Sequence, residues 1–403
     1  MVAKGTTRRT TGTNKNLNNL NSDMVQGRYD SLRLIPWWDQ KKVAGAKVMV
    51  VGAGALGNEI LKNLALVGIG RILIVDFDVV EAANLTRSVL FRAEDIGRLK
   101  AEVAARRLKE INPDVEVACI CGDVTTNIGL GVFRNMDVVL VGVDNFGARI
   151  FVNRACFKVG TPWINGGIQE LVGEFHVYIP GKGACYECNL PGEAYKEIKR
   201  RISCLLPIEE VEQGRVPTTP TIASIIGGLQ VQEALKLIHK ERVAGGSGLI
   251  FNGLTNEFLP ANFRLNKKCL SHNKLKPIVA LGRGASDITF RQLLAVAAEK
   301  LGAEAVIQLD FDLVYKATCA CGDASEILKR LDNIGADELR CPDCNRLMQP
   351  DITSTVSSTT PCLLDKTLAQ GQVPPFHIVT ARNATSAVHF ELDIDRDIVL
   401  NFC

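Results

Sequence analysis

The first clear pattern along the chain is a strand, a turn and a helix. A short apolar run at residues 47–51 ends in a glycine-rich turn, and residues 58–67 then repeat apolar side chains at helical spacing. A second apolar run at residues 71–75 closes with Asp76. The hydrophobic pattern therefore predicts strand, loop, helix and strand in this order.

The same alternation continues further along the chain. A polar helix is predicted around residues 100–111, and a third strand at residues 137–143 closes with Asp144. Strands that alternate with helices imply parallel pairing, because each helix crosses over the sheet. The predicted fold class is therefore α/β, with a Rossmann-like, doubly wound, mostly parallel sheet.

Glycines and cysteines mark the next stretch. Residues 166–173 are punctuated by glycine and are predicted to be antiparallel, and loops with Cys185 and Cys188 follow them. A long apolar helix at residues 222–239 returns to the core. The chain then becomes charged and irregular, so the first domain is predicted to span residues 26–275.

A smaller unit is predicted from residue 276 to residue 403. Thr289 can cap a helix with an apolar face, and Gly302 suits the position just past its end. Strand-like runs flank this helix, and two more lie near residues 376–381 and 387–394. The pattern indicates a small α+β domain, and its cysteines (below) suggest a zinc ribbon.

Composition and charge narrow the class of protein. The 403 residues are 46% hydrophobic, enough for a full core and for two domains plus a tail. Because 47 basic residues face 44 acidic ones, no strong field marks a nucleic-acid or membrane binder. A run of about eighteen apolar residues, which a spanning helix requires, is lacking. Residues 1–25 have no signal-peptide pattern and are predicted to be a disordered arm of a cytoplasmic protein.

The glycine-rich turn has the spacing of a nucleotide-binding loop. GAGALG, from Gly52 to Gly57, fits GxGxxG, in which glycines permit a tight turn and the following helix N-terminus attracts phosphate. Asp76 ends the next strand, where a carboxylate can accept hydrogen bonds from both ribose hydroxyls. Together they predict an adenine-nucleotide site; a purely structural glycine turn is the alternative.

A set of charged residues favours nucleotidyl transfer over hydride transfer. Arg87 in NLTR and Lys100 in DIGRLK could neutralise the charge that develops on pyrophosphate, while Asp144 could hold magnesium. Each alone is more often a surface ion-pair residue. Their joint order indicates cleavage between the α- and β-phosphates.

Four segments carry a family resemblance. GAGALG, VDFDVVEAANLTRSVLF, DIGRLK and VDNFGAR resemble the activating-enzyme superfamily that contains MoeB, ThiF and the ubiquitin-activating enzymes, over roughly residues 26–272. The resemblance implies ATP binding by Gly52, Gly54, Gly57 and Asp76, phosphate contacts from Asn84, Arg87 and Lys100, magnesium on Asp144 and a further nucleotide contact from Asn145.

The segment GRYDSLR resembles the family's N-terminal Arg-Tyr element. In the family this element crosses a homodimer and places an Arg at the partner's ATP, which makes Arg28 the candidate and Arg33 the second. Ala55 stands where many members have Gly, a change small enough to leave phosphate approach open.

The thirteen cysteines indicate metal sites rather than disulfides, since their number is odd and several form close pairs. CYEC and CLSH could complete a tetrahedral zinc site, and family members carry CxxC-like pairs at these places. His272 departs from the family pattern, in which the last ligand is Cys. The predicted ligands are Cys185, Cys188, Cys269 and His272.

A second set of cysteines has the spacing of a zinc ribbon. It reads CxC, nineteen residues, then CxxC, and zinc would protect four otherwise oxidisable thiols. The main family does not predict this module. Because each of the two sets can hold one ion, two zinc ions per chain are expected. The predicted ligands are Cys319, Cys321, Cys341 and Cys344.

Cys204 lies where related activating enzymes place a reactive cysteine, before a PTTP-type segment at residues 216–221. A thiolate there could attack the acyl-adenylate and hold the carrier as a thioester, and Arg200 and Arg201 could lower its pKa. The alternative is a non-essential cysteine, because MoeB-type enzymes stop at the adenylate.

These observations favour a homodimeric enzyme that adenylates the C-terminal carboxylate of a ubiquitin-like protein and passes it to Cys204. A sulfur-carrier adenylyltransferase without a thioester is the second hypothesis. A small-molecule cyclase or dehydratase of the same superfamily, such as one acting on modified tRNA, is the third hypothesis. It is disfavoured because this sequence lacks the dense basic patch that RNA binding needs, so no nucleic-acid partner is expected. A non-enzymatic zinc-ribbon module is disfavoured by intact Arg87, Lys100 and Asp144.

The C-terminal unit suggests a further partner, since a simple adenylating enzyme needs only the first domain. Its helix and flanking strands resemble in order the ubiquitin-fold domain by which some activating enzymes recruit a conjugating enzyme. Deletion of residues 276–403 is therefore expected to spare adenylation and abolish transfer to a downstream protein.

Overall fold

The computed structural model describes residues 27–190 and 217–393. The predicted arm at residues 1–25, Cys204 with Arg200 and Arg201, and the last ten residues lie outside the described residues. Within the described part, the strands form a large sheet before residue 275 and a smaller one after it.

The large sheet has eight strands in the described ranges, in the order β3-β2-β1-β4-β5-β6-β7-β8. The first five in this order pair in parallel and the last three pairings are antiparallel. The strands are β1 Lys47–Val51, β2 Arg71–Val75, β3 Glu116–Ile120, β4 Val138–Val141, β5 Trp163–Gln169, β6 Val172–Tyr178, β7 Ser247–Asn252 and β8 Glu257–Asn262.

Helices cover both faces of this sheet, as in a doubly wound fold. Alternate strand residues point to opposite faces, so Val48 and Val50 join one buried cluster whereas Met49 and Val51 join another. The helices are α1 Asp30–Arg33, α2 Gln40–Gly45, α3 Ala55–Val67, α4 Lys100–Ile111, α5 Val124–Asn127, α6 Leu130–Arg134, α7 Phe146–Val159 and α8 Pro220–His239.

The predicted α/β class and parallel-rich sheet are confirmed, and so is the antiparallel section around Gly166 and Gly173. Strand β3 and the β7–β8 hairpin are not among the predicted elements. The signal of β8 is weak, because most of its residues are exposed. Helix α8 is tied to the sheet by Gln230, whose Nε2 donates to Val141 O at 3.0 Å.

The smaller sheet is built from β9 Ile278–Ala280, β10 Val306–Thr318, β11 Ala324–Arg330, β12 Gln349–Val356, β13 Ile378–Arg382 and β14 Ala387–Glu391. Among described residues its order is β11-β10-β13-β14-β9, with β12 also paired to the long strand β10. Helix α9, Phe290–Leu301, begins at the predicted cap: Thr289 Oγ1 accepts from Gln292 N at 3.2 Å. The short helix α10 spans Pro361–Leu364.

The two sheets share a packed contact. Phe376 lies in the same buried cluster as Met49 and Val51 on one face of the large sheet. Its carbonyl accepts a hydrogen bond from Gly131 N at 2.7 Å. A Cβ at Gly129 would lie 2.3 Å from Pro375 O, so only glycine permits this backbone approach. Lys158 Nζ on α7 donates to Asp310 Oδ2 on β10 at 2.9 Å.

In the portion of the chain that the structure describes, none of the helices combines the length and apolar character needed to cross a bilayer.

Candidate functional site

A cavity of about 510 Å³ opens at the carboxyl ends of the parallel strands. It lies where β1 and β4 are neighbours and the strand order reverses, the position at which open α/β sheets bind ligands. The predicted nucleotide residues that line it are Gly52, Gly54, Asp76, Asn84, Arg87, Lys100, Asp144 and Asn145.

The glycine loop brings backbone close to the cavity. Gly52 has φ of +93°, and a Cβ there would lie 2.7 Å from Gly142 O on the next strand. A Cβ at Gly57 would lie only 1.9 Å from Gly52 O, so this glycine lets α3 approach the loop. Gly54 is the N-cap of α3, where free backbone N–H groups attract an anion. Gly57 therefore packs against the loop without lining the cavity, whereas Gly54 lines it.

Asp76 is held by two backbone donors. Its Oδ2 accepts from Ala53 N at 2.6 Å, and its Oδ1 accepts from Asp78 N at 2.8 Å. Burial raises the pKa of Asp76, while these bonds and the charge of Lys100 act in the opposite direction. The carboxylate is thus fixed at the end of β2 beside the loop.

Basic side chains line the same cavity, and Lys100 is close enough to Asp76 for its charge to act on that carboxylate. Lys100 Nζ, on a mostly buried side chain, donates to Asp78 Oδ2 at 2.7 Å. Arg87 Nη1 donates to Ala83 O at 2.9 Å, which leaves further guanidinium donors for an anion. Asn84 Oδ1 accepts from Glu81 N at 2.8 Å. The short turn at Ala82–Thr86 therefore positions two of the predicted phosphate contacts.

Asp144 and Asn145 connect β4 to α7. Asn145 caps the helix, with Oδ1 accepting from Ala148 N at 2.7 Å. Arg149, one turn further on, lines the cavity and donates from Nη2 to Val143 O at 2.7 Å. Sequence reasoning missed Arg149, although its signal was present as the last residue of VDNFGAR.

Glu174 and Phe77 were also missed. Both line the cavity, Glu174 from the antiparallel strand β6 and Phe77 from the loop after β2, where 56% of Phe77 is exposed. Burial raises the pKa of Glu174, and the charge of Arg149 partly offsets this. Phe77 directly follows Asp76 within a quoted motif, whereas no local motif marks Glu174, because the pairing of β5 with β6 brings it to the cavity.

Arg28 lies away from this cavity. Its Nη1 donates to Ile111 O at 3.0 Å, at the end of α4 opposite to Lys100. Eleven residues of helix separate these ends, a rise of about 16 Å. Arg33 pairs with Asp30 at 3.1 Å. Neither arginine is among the described residues that line the cavity of its own chain.

The first predicted cysteine set is assembled in space. Cys185 Sγ lies 3.7 Å from Cys188 Sγ and 3.6 Å from Cys269 Sγ, and Cys188 Sγ lies 3.3 Å from His272 Nε2. All four ligand atoms lie within 4.8 Å of one another, although 84 residues separate the two pairs.

The second set is equally compact. Cys319 Sγ lies 3.4 Å from Cys344 Sγ, and Cys321 Sγ lies 3.6 Å from Cys341 Sγ. The backbone N–H of Cys341 donates to Arg346 O at 2.8 Å, which closes a tight turn around the second pair.

Both clusters fit zinc. Four ligands at about 2.3 Å in a tetrahedron place sulfur atoms about 3.8 Å apart. The measured sulfur separations of 3.4–3.7 Å agree with this spacing. Burial and the neighbouring thiols raise the pKa of Cys185, so a cation is needed to hold this sulfur as a thiolate.

The fold and the cavity define an α/β protein with a ligand site at the carboxyl edge of a doubly wound sheet. Residues 28–271 match the model of the ThiF family. The chain belongs to the ThiF family, as its four motifs predict.

Relatives agree with this assignment. The SAMP-activating enzyme E1 of Haloferax volcanii is 33% identical over 237 residues, 57% of this chain and 81% of the relative. The sulfur carrier protein adenylyltransferase of Thermus thermophilus is 32% identical over 242 residues, 57% and 83% of the two chains. The predicted enzyme class, adenylyltransferase, is confirmed by these relatives.

A solved structure shares the architecture. The crystal structure of E. coli MccB with MccA-N7isoASN aligns with a TM-score of 0.52 and 26% identity, covering 61% of this chain and 75% of that one.

Proposed function

We propose that this chain uses ATP to adenylate the C-terminal carboxylate of a ubiquitin-like or sulfur-carrier protein. The observation that carries the proposal is one cavity that combines the glycine loop and Asp76 with Arg87, Lys100 and Asp144. The names of the Haloferax and Thermus relatives support a carrier protein as the substrate.

In this proposal Asp76 accepts hydrogen bonds from the ribose, and the N-terminus of α3 faces the phosphates. Asn84, Arg87 and Lys100, which line the same cavity, contact the phosphates. Lys100 is already oriented by Asp78, so it brings its charge to the cavity with little loss of side-chain freedom.

The reaction is an acyl activation. A carboxylate oxygen of the carrier forms a bond to the α-phosphorus, and the bond between this phosphorus and the bridging oxygen of the β-phosphate breaks. Pyrophosphate leaves with the electron pair, and the carrier retains AMP as an acyl-adenylate. Arg87 and Lys100 neutralise the charge that grows on the leaving group.

Asp144 is proposed to hold Mg²⁺, which supplies further positive charge at the phosphates. The two cysteine clusters are proposed to hold structural zinc, since each provides four ligands and leaves no open position. Zinc in the second cluster would make the C-terminal unit a zinc-ribbon domain.

We further propose that the Cys204 thiolate then attacks the acyl-adenylate carbonyl, forming a thioester and releasing AMP. A conjugating-type enzyme would receive the acyl group, recruited by the unit after residue 275. The alternative is a sulfur-carrier enzyme that stops at the adenylate, in which Cys204 is dispensable.

The remote position of Arg28 supports a homodimer in which it serves the partner's cavity. Tyr29 anchors this segment, because its hydroxyl accepts from Asn112 Nδ2 at 2.7 Å and its ring covers Gly68.

ATP–pyrophosphate exchange with carrier proteins that end in Gly tests the activity. Lys100→Gln should lower exchange by about 100-fold, since it removes a charge that acts on the leaving group. Lys109→Gln, an exposed residue at the other end of α4, is the matched control and should retain wild-type exchange. Wild-type protein without exchange for any carrier would refute the proposal.

A non-reducing gel with wild type and Cys204→Ala separates the two versions of the mechanism. A DTT-sensitive carrier adduct that needs Cys204 supports the thioester. Exchange without an adduct supports the sulfur-carrier alternative.

A further inference from the structure

Helix α7 contacts three separate parts of the molecule. Its N-cap lies at the nucleotide cavity, its middle contacts the first cysteine cluster, and Lys158 near its end pairs with the second sheet. Asn145, Arg149, Asn153 and Phe157 are spaced four residues apart, which places them along one side of the helix.

At the cavity end, α7 holds the turn that carries the proposed magnesium ligand. Arg149 donates from Nε and Nη2 to Val143 O, at 3.2 and 2.7 Å, and from Nη2 to Gly166 O at 3.3 Å. Val143 directly precedes Asp144 in the chain. The position of α7 therefore sets the position of this turn relative to β5.

At the cluster, α7 is held by a buried carboxylate. Glu187 lies between Cys185 and Cys188, and none of its side chain is exposed. It accepts from Asn153 Nδ2 at 3.1 Å and from Arg154 Nε and Nη2 at 3.0 and 2.8 Å. These charge-assisted bonds fix one half of the cluster to the helix.

The other half of the cluster reaches the same carboxylate. Ser271 lies between Cys269 and His272, and its hydroxyl donates to Glu187 Oε1. The His272 ring stacks on Phe157, with centroids 5.3 Å apart. Glu187 thus bonds both halves of the first cysteine cluster and helix α7 at once.

We propose that Glu187 is a positioning residue that couples the first metal cluster to the nucleotide cavity through α7. The inference rests on the proposed function, because it assumes ATP in the cavity and zinc in the cluster. Asn153 lies eight residues from Asn145, about 12 Å along a stiff helix, so a shift at the cluster moves the cap and Arg149. Zinc that holds the two loops also holds Glu187 and Ser271.

The affinity for ATP distinguishes coupling between the cluster and the cavity from a cluster that stabilises only its own loops. Titration calorimetry with ATP and Mg²⁺ is carried out on the full-length, zinc-loaded wild type and on Glu187→Gln, with zinc content measured by atomic absorption. Glu187→Gln should retain zinc, and its Kd for ATP should rise by at least about five-fold. Partial misfolding would lower the binding stoichiometry and leave the Kd of the folded fraction unchanged.

Two further variants keep the test decisive. Ser271→Ala removes only the bond to the second half of the cluster and should weaken ATP binding by about two- to three-fold in a fully folded protein. Glu391→Gln breaks an ion pair with Arg134 at the contact between the sheets, with a carboxylate that is 12% exposed, and should keep the wild-type Kd.

The outcomes are distinguishable. Wild type that binds no ATP refutes the proposed function. Wild type that binds ATP, with Glu187→Gln and Ser271→Ala at the same Kd, refutes the coupling alone. Loss of zinc from Glu187→Gln with unchanged ATP affinity also refutes the coupling, since the cluster would then stabilise only its own loops.

Discussion

Among single residues, His176 shows how burial sets a charge state. It is 2% exposed on β6, stacks on Phe263 with centroids 4.4 Å apart, and lies near Arg149. Burial first, and the charge of Arg149 second, lower the pKa of His176 from 6.5 to about 4. The histidine is therefore neutral in the folded protein across the physiological range.

This pKa shift predicts a loss of stability in acid. The unfolded chain binds a proton at His176 near pH 6.5, whereas the folded protein binds it only near pH 4, so stability falls as the pH drops between these values. The loss approaches roughly 3 kcal/mol, at 1.36 kcal/mol for each pH unit. Denaturant unfolding of wild type and His176→Leu at pH 7, 5.5 and 4.5 should show a smaller loss in the variant; parallel profiles would contradict the prediction.

At the scale of the element, Gly54 and Gly57 of the glycine-rich loop have different roles, one in binding and the other in packing. Gly57 faces the backbone of Gly52, whereas Gly54 lines the cavity, and among the described residues a Cβ there would meet nothing within 4 Å beyond its chain neighbours. One substitution therefore disturbs the joint between β1 and α3, and the other disturbs only the ligand.

Gly57→Ala should destabilise the protein by about 3 kcal/mol, because the methyl group forces α3 away from the loop. Gly54→Ala should cost less than about 1 kcal/mol but weaken ATP binding, since helix N-cap alanine is only mildly unfavourable. Thermal unfolding and ATP titration of both variants test this pair. Equal melting temperatures for the two would contradict the assigned roles.

At the scale of the whole molecule, the second cluster lies in the loops that follow β10 and precede β12, and it does not line the described cavity. Cys341→Ser should reduce the zinc content from about two ions per chain to one and leave exchange within about two-fold of wild type. Cys188→Ser, in the first cluster, should lower both the zinc content and the rate of ATP–pyrophosphate exchange. Loss of exchange in Cys341→Ser would show that the small sheet takes part in adenylation.

The expectation that deletion of residues 276–403 spares adenylation remains a prediction. Such a deletion would remove Phe376 from a buried cluster of the first unit, so point variants of the second cluster are the cleaner test.

Dimerisation has its own test. In a homodimer where Arg28 serves the partner's cavity, Arg28→Ala and Lys100→Ala are each inactive, but mixing them creates dimers with one intact site. After subunit exchange about a quarter of all sites are intact, so about a quarter of the wild-type exchange rate should return. Absence of recovery, with mixed dimers detected by native mass spectrometry, would assign Arg28 another role.

Much of the site follows from short-range chemistry. The glycine loop, Asp76, Arg87 and Lys100 are recognisable because each motif is a turn or an element end whose geometry depends on neighbouring residues. The two cysteine sets are recognisable because each has close pairs of ligands at the spacing of known zinc sites. The strand and helix periods likewise predicted the parallel core and the cap at Thr289.

Tertiary structure alone decided the remainder. Arg149 and Glu174 reach the cavity through the crossing of α7 and the β5–β6 pairing, and Arg28 lies at the far end of α4 because Tyr29 packs over Gly68. Strand β10 pairs with three partners, and Glu187 joins two loops 84 residues apart. The sequence by itself thus determined the fold class, the glycine loop and the close pairs of cysteines, because these depend on local spacing. The contacts between distant segments needed the packed molecule, since no local pattern records which surfaces meet.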